Sequence, residues 1–441
     1  MKSASIILTN ISRAKVRIIS GLATLKGKDM SKLEELIQQY CPDGVEYVKL
    51  GDFATQWYRG AGIKKDEISQ EGIPCIRYGE IHTIYKIWFD KCISHTDEAK
   101  QPSKKYADYG DILFAITSED IPFIGNSVAY MGQERIMVGG DIVVMKHTQN
   151  PKYISYALST IDAVSQKGKG KVKSKVVHTN VPSLKEIVIP VPPLPVQEEI
   201  VRILDDFTEL QAELQAELQK RKLQYNYYLD NLQSFNRGQT EVRWMKLKDV
   251  ATQWYRGAGI KREEVSEDGM PCIRYGEIHT TYNIWFDDCI SHADESKQVS
   301  RKYAEKGDIL FAITSEDVPF VGNSVAYLGN ERILVGGDIV VMKHNQDPKY
   351  MAYALSTSDA IKQKGKGKVK SKVVHTNVPS LQEIVIPIPS MTEQERIASI
   401  LDRFNTLTTD LTQGLPAEIE KRRQQYEYYR DKLLTFKRKE A

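Results

Sequence analysis

The chain has 441 residues, a formal net charge of +3, 41% hydrophobic residues and five cysteines. This length and apolar content are sufficient for two or three folded domains. The small net charge excludes a chain that is basic throughout, so any surface that binds a polyanion must be local. The scattered cysteines form no CxxC pair and indicate a reducing compartment, and no apolar run is long enough to cross a membrane.

Residues 1–29 are basic and weakly apolar, but they lack the apolar core of a signal peptide. We expect this N-terminal extension to be a disordered tail or a misassigned start, and we assign it no function. A helix-forming sequence, SKLEELIQQY, follows Met30 directly.

An internal duplication dominates the rest of the chain. The segment from Ala54 to Pro190 recurs 197 positions later, from Ala251 to Pro387. Roughly four positions in five are identical, which is far beyond chance self-similarity. Within each copy, GDILFAI, NSVAYM and GGDIVVMKH predict strands because they are rich in Val and Ile and bounded by turn residues. The segment PKYISYALST predicts a short helix.

Each copy leads into a long helical segment. Val196–Phe235 contains no Gly or Pro and carries an apolar stripe at spacings of three, four or seven. Its predicted core residues are Phe207, Leu210, Leu214, Leu218, Tyr225 and Leu232. The second segment repeats the same ending, and a kink is predicted near Gly414–Pro416. The chain is thus predicted to be an α+β protein of two near-identical β-rich domains, at 30–195 and 237–390, with long helices at 196–236 and 391–436 and a tail at 437–441.

Sequence motifs for catalysis are missing. The chain has no GxxxxGK[ST] phosphate loop, GxGxxG, HExxH or GxSxG, and its histidines lack metal-ligand spacing. Glu119 and Asp120 follow a predicted strand, where they could contact a ligand or cap the loop, and both alternatives remain open. The pattern therefore favours a binding protein over an enzyme.

The strongest binding signal is KGKGKVKSK, which occurs unchanged in both copies. If the segment is extended, lysines at every second position share one face with a spacing of ~6.8 Å, which is comparable to successive phosphates of a nucleic-acid strand. A solvated loop is the alternative, but the recurrence favours phosphate binding. The lysines are Lys167, Lys169, Lys171, Lys173 and Lys175, and in the second copy Lys364, Lys366, Lys368, Lys370 and Lys372.

Two further segments combine basic and aromatic residues that could contact phosphates or base edges. They are TQWYRGAGIK and PCIRYGEIH, each of which recurs in the second copy. Their candidate DNA-contacting residues are Arg59, Lys64, Arg77, Tyr78 and His82, and Arg256, Lys261, Arg274, Tyr275 and His279.

Together these features resemble the specificity subunits of type I restriction–modification enzymes. The similarity extends from about Met30 to the C-terminus and rests on CPDGVEYVKLGD, GDILFA and IPVPPLPVQEEIVRILD. The resemblance implies two target-recognition domains that read the halves of a bipartite site in double-stranded DNA, and two antiparallel spacer helices. Members of the family usually carry dissimilar recognition domains, whereas this chain carries near-identical ones. We therefore expect an inverted-repeat site.

The resemblance also implies partners and a location. Two modification (methyltransferase) subunits would dock on the spacer, and restriction–translocation subunits would join them in the cytoplasm. The chain itself would be non-catalytic and hold no cofactor or metal, since S-adenosylmethionine, ATP and Mg²⁺ would act in the partner subunits. A non-DNA scaffold with twin binding modules is the alternative, and salt-dependent binding to duplex DNA would separate the two.

Overall fold

The computed structural model describes residues 31–172, 175–235, 242–369, 371–410 and 414–440, with Arg262 described by its backbone alone. Predictions about the N-terminal extension fall outside these residues. The chain divides into two compact units. Unit 1 comprises Met1–Glu213 with Ile419–Ala441, and unit 2 comprises Leu214–Glu418.

The recognition half of unit 1 is built mostly of short strands. The strands β1 to β14 are Tyr47–Lys49, Gln56–Arg59, Ile68–Ser69, Ile73–Ile76, Trp88–Phe89, Ser94–Thr96, Tyr106–Ala107, Ile112–Ala115, Thr117–Ser118, Ser127–Tyr130, Ile136–Val138, Ile142–Lys146, Val177–His178 and Val188–Pro190. The helices α1 to α7 are residues 31–40, Leu50–Phe53, Tyr78–Thr83, Pro151–Leu158, Ile161–Gly168, Val181–Lys185 and Leu194–Asn231.

The second copy repeats this order. Strands β15 to β28 are Arg243–Lys246, Ala251–Arg256, Val265–Ser266, Met270–Ile273, Trp285–Phe286, Ser291–Ala293, Tyr303–Ala304, Ile309–Ala312, Thr314–Ser315, Ser324–Tyr327, Ile333–Val335, Ile339–His344, Val374–His375 and Val385–Ile388. Helices α8 to α14 are Leu247–Val250, Tyr275–Thr280, Pro348–Ala354, Ser358–Gly365, Val378–Gln382, Met391–Thr409 and Leu415–Leu433. This confirms the predicted α+β class with two β-rich domains.

Two five-stranded sheets form each β-rich domain. In the first, the strand orders are β2-β12-β8-β10-β5 and β3-β6-β4-β11-β7, and the pairs β1-β14 and β13-β9 form two small sheets. Neighbouring strands are antiparallel except for β10 with β5 and β11 with β4, which are parallel. The second domain repeats these strand orders.

Both faces of the first sheet are buried, which explains the unbroken apolar run of β8. Ile112 and Phe114 pack in one cluster with α4 and the start of α7, whereas Leu113 and Ala115 pack in a second cluster with α3. Successive side chains of a strand point to opposite faces, so a strand between two apolar layers loses the usual alternation.

The short helix α4 begins where its sequence predicts. The Asn150 side chain accepts a hydrogen bond from the Tyr153 backbone N–H, and Pro151 occupies the first helical position. A proline is well tolerated there because its missing N–H would have no partner within the helix. Tyr153 and Tyr156 are buried and face the spacer helix, so α4 joins the sheet to α7.

Each unit combines the beginning of one long helix with the end of the other. In unit 1, Phe207 of α7 stacks on Tyr429 of α14, with ring centroids 5.5 Å apart. In unit 2, their counterparts Phe404 of α13 and Tyr228 of α7 stack at 5.3 Å. Unit 2 thus repeats the ring contact of unit 1.

The spacer residues predicted from the apolar stripe differ in burial. Leu214 and Leu218 are buried, whereas Phe207, Leu210, Tyr225 and Leu232 are half-buried. The second helical segment has two parts, since α13 ends at Thr409 and α14 begins at Leu415, next to the predicted kink.

Asp205 on α7 anchors the first recognition domain to the spacer. It pairs with Lys152 Nζ at 2.6 Å and accepts a hydrogen bond from the Tyr156 hydroxyl at 2.7 Å. Asp402 repeats these contacts in unit 2 with Lys349 and Tyr353.

We expect Asp205→Ala to destabilise the first unit by about 2–4 kcal/mol, because it removes the partner of a largely buried hydroxyl and of a half-buried ammonium. Native-state hydrogen exchange at α4 measures this loss, and α10 in the unaltered second unit is the internal reference. Glu209→Ala is the matched control, since Glu209 is an exposed carboxylate on the same helix and its loss should cost less than about 1 kcal/mol. Equal effects of the two substitutions would contradict the anchoring role.

Candidate nucleic-acid interface

A pocket lined by arginine forms where strand β2 meets the turn between β11 and β12. The backbones approach closely here, and a Cβ on Gly60 would lie 2.2 Å from the Gly139 carbonyl oxygen. Glycine is therefore required for the loop to pack against this turn. We call this feature the arginine pocket, and its lining residues are Arg59, Gly60, Gly62, Ile63, Lys65, Arg77, Tyr78, Gly139, Gly140 and Asp141.

Arg59 is held at the edge of the arginine pocket. It donates through Nε to the Gly140 carbonyl and through Nη2 to Asp141 Oδ1, at 2.8 Å for the second bond. Its side chain remains 62% exposed. An exposed ion pair contributes little stability, so Arg59 can exchange this partner for a phosphate or a base edge at small cost.

Helix α3 brings a second arginine and an aromatic ring to the arginine pocket. The Arg77 backbone N–H donates to Glu80 Oε2 at 2.8 Å, which satisfies a free donor at the start of the helix. Tyr78 follows and is 37% exposed. Three of the predicted contact residues, Arg59, Arg77 and Tyr78, thus share one pocket. Lys64 is exposed but does not line it, whereas its neighbour Lys65 does.

His82 does not fit the predicted role of a DNA contact. Its Nε2 lies 2.9 Å from the Thr117 carbonyl and its Nδ1 lies 3.4 Å from Asn126 Nδ2. Because both ring nitrogens have protein partners, neither is free to hydrogen-bond a base. His82 instead ties α3 to the loop after β9, and His279 does the same through Thr314 and Asn323.

The prediction for the first lysine of each lysine run is wrong. Lys167 and Lys364 lie in helices rather than in extended segments, and each is only 6% exposed. Lys167 Nζ donates to the Leu158 carbonyl at 2.8 Å, and burial lowers the pKa of both lysines to about 7. Neither ammonium can reach a phosphate from this position.

The later lysines emerge from a turn at the end of α5. Gly170 has a positive φ of 73°, and the Lys171 N–H donates to the Gly168 carbonyl at 3.0 Å. Lys169 and Lys175 are exposed and Lys171 is half-buried. In the second copy Lys366 and Lys372 are exposed and Lys368 is half-buried. Lys173 and Lys370 lie outside the described residues.

Helix α3 connects the arginine pocket to the lysine segment. Arg77 stands at its beginning, and His82 near its end bonds to Thr117 of β9. Strand β9 pairs with β13, with Val177 opposite Ser118, and β13 follows the lysine segment directly. These contacts link residues that are far apart in sequence. We call this set the basic strip: the arginine pocket, α3, and residues 169–172 and 175–178.

The second domain has an equivalent strip. Arg256 donates to Gly337 and pairs with Asp338 at 2.8 Å, and Tyr275 is 41% exposed. Arg256, Arg274 and Tyr275 line its pocket, while Lys261 is exposed nearby.

The candidate residues taken from the sequence did not include Lys65 or Asp141, which both line the arginine pocket. A Gly-Gly pair precedes both Asp141 and Asp338, and it was a usable signal because paired glycines permit a close turn beside an arginine.

Among the described residues, no group of three or more His, Cys, Asp or Glu side chains could hold a metal ion. In the same part of the chain, every helix is too short or too polar to traverse a bilayer.

Comparison with known proteins agrees with this architecture. The family described as Type I restriction modification DNA specificity domain matches residues 42–221 and 240–421. A type I restriction enzyme specificity subunit of Escherichia coli is 35% identical over 298 residues, covering 66% of this chain and 72% of the relative. A putative type I restriction enzyme specificity subunit of Haemophilus influenzae is 31% identical over 304 residues, covering 67% and 74%.

A chain solved in a study of the assembly of a type I R-M system has the same fold. It superposes with a TM-score of 0.61 at 16% identity, over 89% of this chain and 97% of that chain. The family match extends over both copies and into the first part of each long helical segment. The chain belongs to the DNA specificity subunits of type I restriction–modification systems.

Proposed function

We propose that this chain is the DNA-reading subunit of a type I restriction–modification complex and that each β-rich domain reads one half of a bipartite site. The observation that carries the proposal is the recurrence of the basic strip in both units. Arginine, lysine and exposed tyrosine side chains are suited to contact phosphates and base edges.

The chain acts without catalysing a reaction. Its contribution is to hold two recognition surfaces at a set distance, while the methyltransferase and restriction–translocation subunits supply chemistry. S-adenosylmethionine, ATP and Mg²⁺ belong to those partners, which bind the spacer helices in the cytoplasm. The pairing of Phe207 with Tyr429 and of Phe404 with Tyr228 supports a pseudo-twofold spacer able to take two methyltransferase subunits.

Methylation mapping tests the proposal. We expect the purified chain alone to transfer no methyl groups, and its complex with the methyltransferase subunit to methylate a bipartite site whose halves are the same short sequence in inverted orientation. Near-identical domains on antiparallel helices predict this symmetry. The copies differ most at KDEISQEGI against REEVSEDGM, so a difference between the halves would map to this segment. Two unrelated half-sites would refute the symmetry, and methylation by the chain alone would refute the non-catalytic role.

A further inference from the structure

The loop between β9 and β10 packs against the end of α5, where a Cβ on Gly168 would lie 3.2 Å from Ile121 Cγ2, and the loop carries an exposed aromatic ring. Phe123 is 52% exposed, and Phe320 at the same place in the second domain is 53% exposed. Both belong to short 3-10 helices that begin with a proline in the first turn. A single exposed aromatic residue is unremarkable, but a recurring one at the tip of a loop next to cations is suited to contact a base.

A carboxylate without a partner lies on the same loop. Strand β9 pairs with β13 so that Val177 is opposite Ser118, which places Glu119 next to the end of the lysine segment. Glu119 is exposed, and among the described residues it has no ion pair and no side-chain hydrogen bond. An unpaired carboxylate is available as a hydrogen-bond acceptor.

The base of the loop is held in place by the buried lysine. Gly125 has a φ of 67°, and a Cβ there would lie 3.4 Å from the Lys167 side chain. Lys167 Nζ also contacts Ser127 Oγ at 3.4 Å, on the strand that follows the loop. A recognition group must be held rigidly to discriminate between bases, and this packing provides the rigidity.

Charge decides which part of DNA the loop can face. A carboxylate directed at phosphates would be repelled, whereas the neighbouring lysines favour the phosphate backbone. A carboxylate that is flanked by lysines can instead face the base edges. Its preferred partner there is the exocyclic amino group of cytosine. An aromatic side chain can contact a thymine methyl group or a base step.

We propose that residues 118–126 and their counterparts 315–323 form a base-reading loop, in which Glu119 and Glu316 accept a hydrogen bond from cytosine N4 and Phe123 and Phe320 contact a neighbouring base. The proposal rests on the proposed function and names the specificity-determining residues within it. The glutamate and the phenylalanine are the same in the two domains, so we expect each half-site to contain the cytosine and its neighbouring base.

The test is Glu119→Ala in the first domain only, in the full chain assembled with its methyltransferase subunit. Methylation mapping should show a relaxed preference at one base position of one half-site, by about 5- to 150-fold for a single base contact. The other half-site, read with the unaltered Glu316, is the internal control. Phe123→Ala should relax an adjacent position of the same half-site.

Glu134→Ala is the matched control, since it removes an exposed carboxylate outside the basic strip and should leave the motif unchanged. The reciprocal variant Glu316→Ala should alter the opposite half. An unchanged motif in Glu119→Ala, or equal relaxation of both halves, would overturn the assignment. Failure of the proposed function is a separate result, because the unaltered complex would then methylate no bipartite site.

Discussion

Deleting Gln211–Leu214 should shorten the gap between the two half-sites that the complex methylates, and duplicating this segment should lengthen it. These residues form one of two tandem QAEL units in α7, and the division between the two units falls within them. Four helical residues add ~6 Å of length and ~400° of turn, a net rotation of ~40°. The small net rotation keeps the apolar stripe nearly in phase, so the helix should tolerate the change.

The size of the shift follows from DNA geometry. A base pair advances about 3.4 Å along the axis and turns ~34° for about 10.5 pairs per turn. The length of four helical residues corresponds to nearly two base pairs, whereas their net rotation corresponds to about one. Turning both domains away from their groove faces should cost more than a small stretch, so we expect one base pair per QAEL unit.

The variants should bind DNA with the original gap about 10³-fold more weakly, because only one half-site can be engaged at a time. Methylation mapping of the deletion and duplication variants measures the new gap. Replacing exposed Glu213 by Gln, which keeps the helix length, is the matched control and should leave the gap unchanged. If the deletion also leaves the gap unchanged, the spacer helix does not set the distance on DNA.

Replacing Lys169, Lys171 and Lys175 and their three counterparts by Ala should weaken DNA binding by about 10³- to 10⁴-fold without changing the preferred sequence. Each lost phosphate contact should reduce the slope of log affinity against log salt by about 0.9. Phosphate contacts position a protein on DNA but do not specify bases. Salt titration of duplex binding, combined with motif mapping, separates the two effects.

Two control pairs sharpen this prediction. Lys100→Ala with Lys297→Ala removes exposed lysines outside the basic strip and should leave the slope unchanged. Lys167→Met with Lys364→Met removes lysines of the same run and should also leave the slope unchanged, because both are buried. A slope that is unaltered in the six-lysine variant would identify the segment as a solvated loop.

The lysine run illustrates why some predictions failed. Alternating lysines suit an extended strand, but Thr160 caps a helix by accepting a hydrogen bond from the Ala163 N–H, and this helix continues to Gly168. The Thr160 cap stabilises a helix more than the alternating lysines favour an extended strand, so the lysine run begins inside a helix. His82 failed for a different reason, since its partner Thr117 lies 35 positions away.

The sequence by itself determined the duplication, the main strands, the long helices and the family, because these depend on periodicity and on self-similarity along the chain. The identity of the side chains available to DNA depended on the tertiary structure. Burial removed Lys167, a distant carbonyl engaged His82, and a close glycine contact joined Arg59 to Asp141. Such contacts arise between segments far apart in sequence, where local pattern carries no information about distance or solvent exposure.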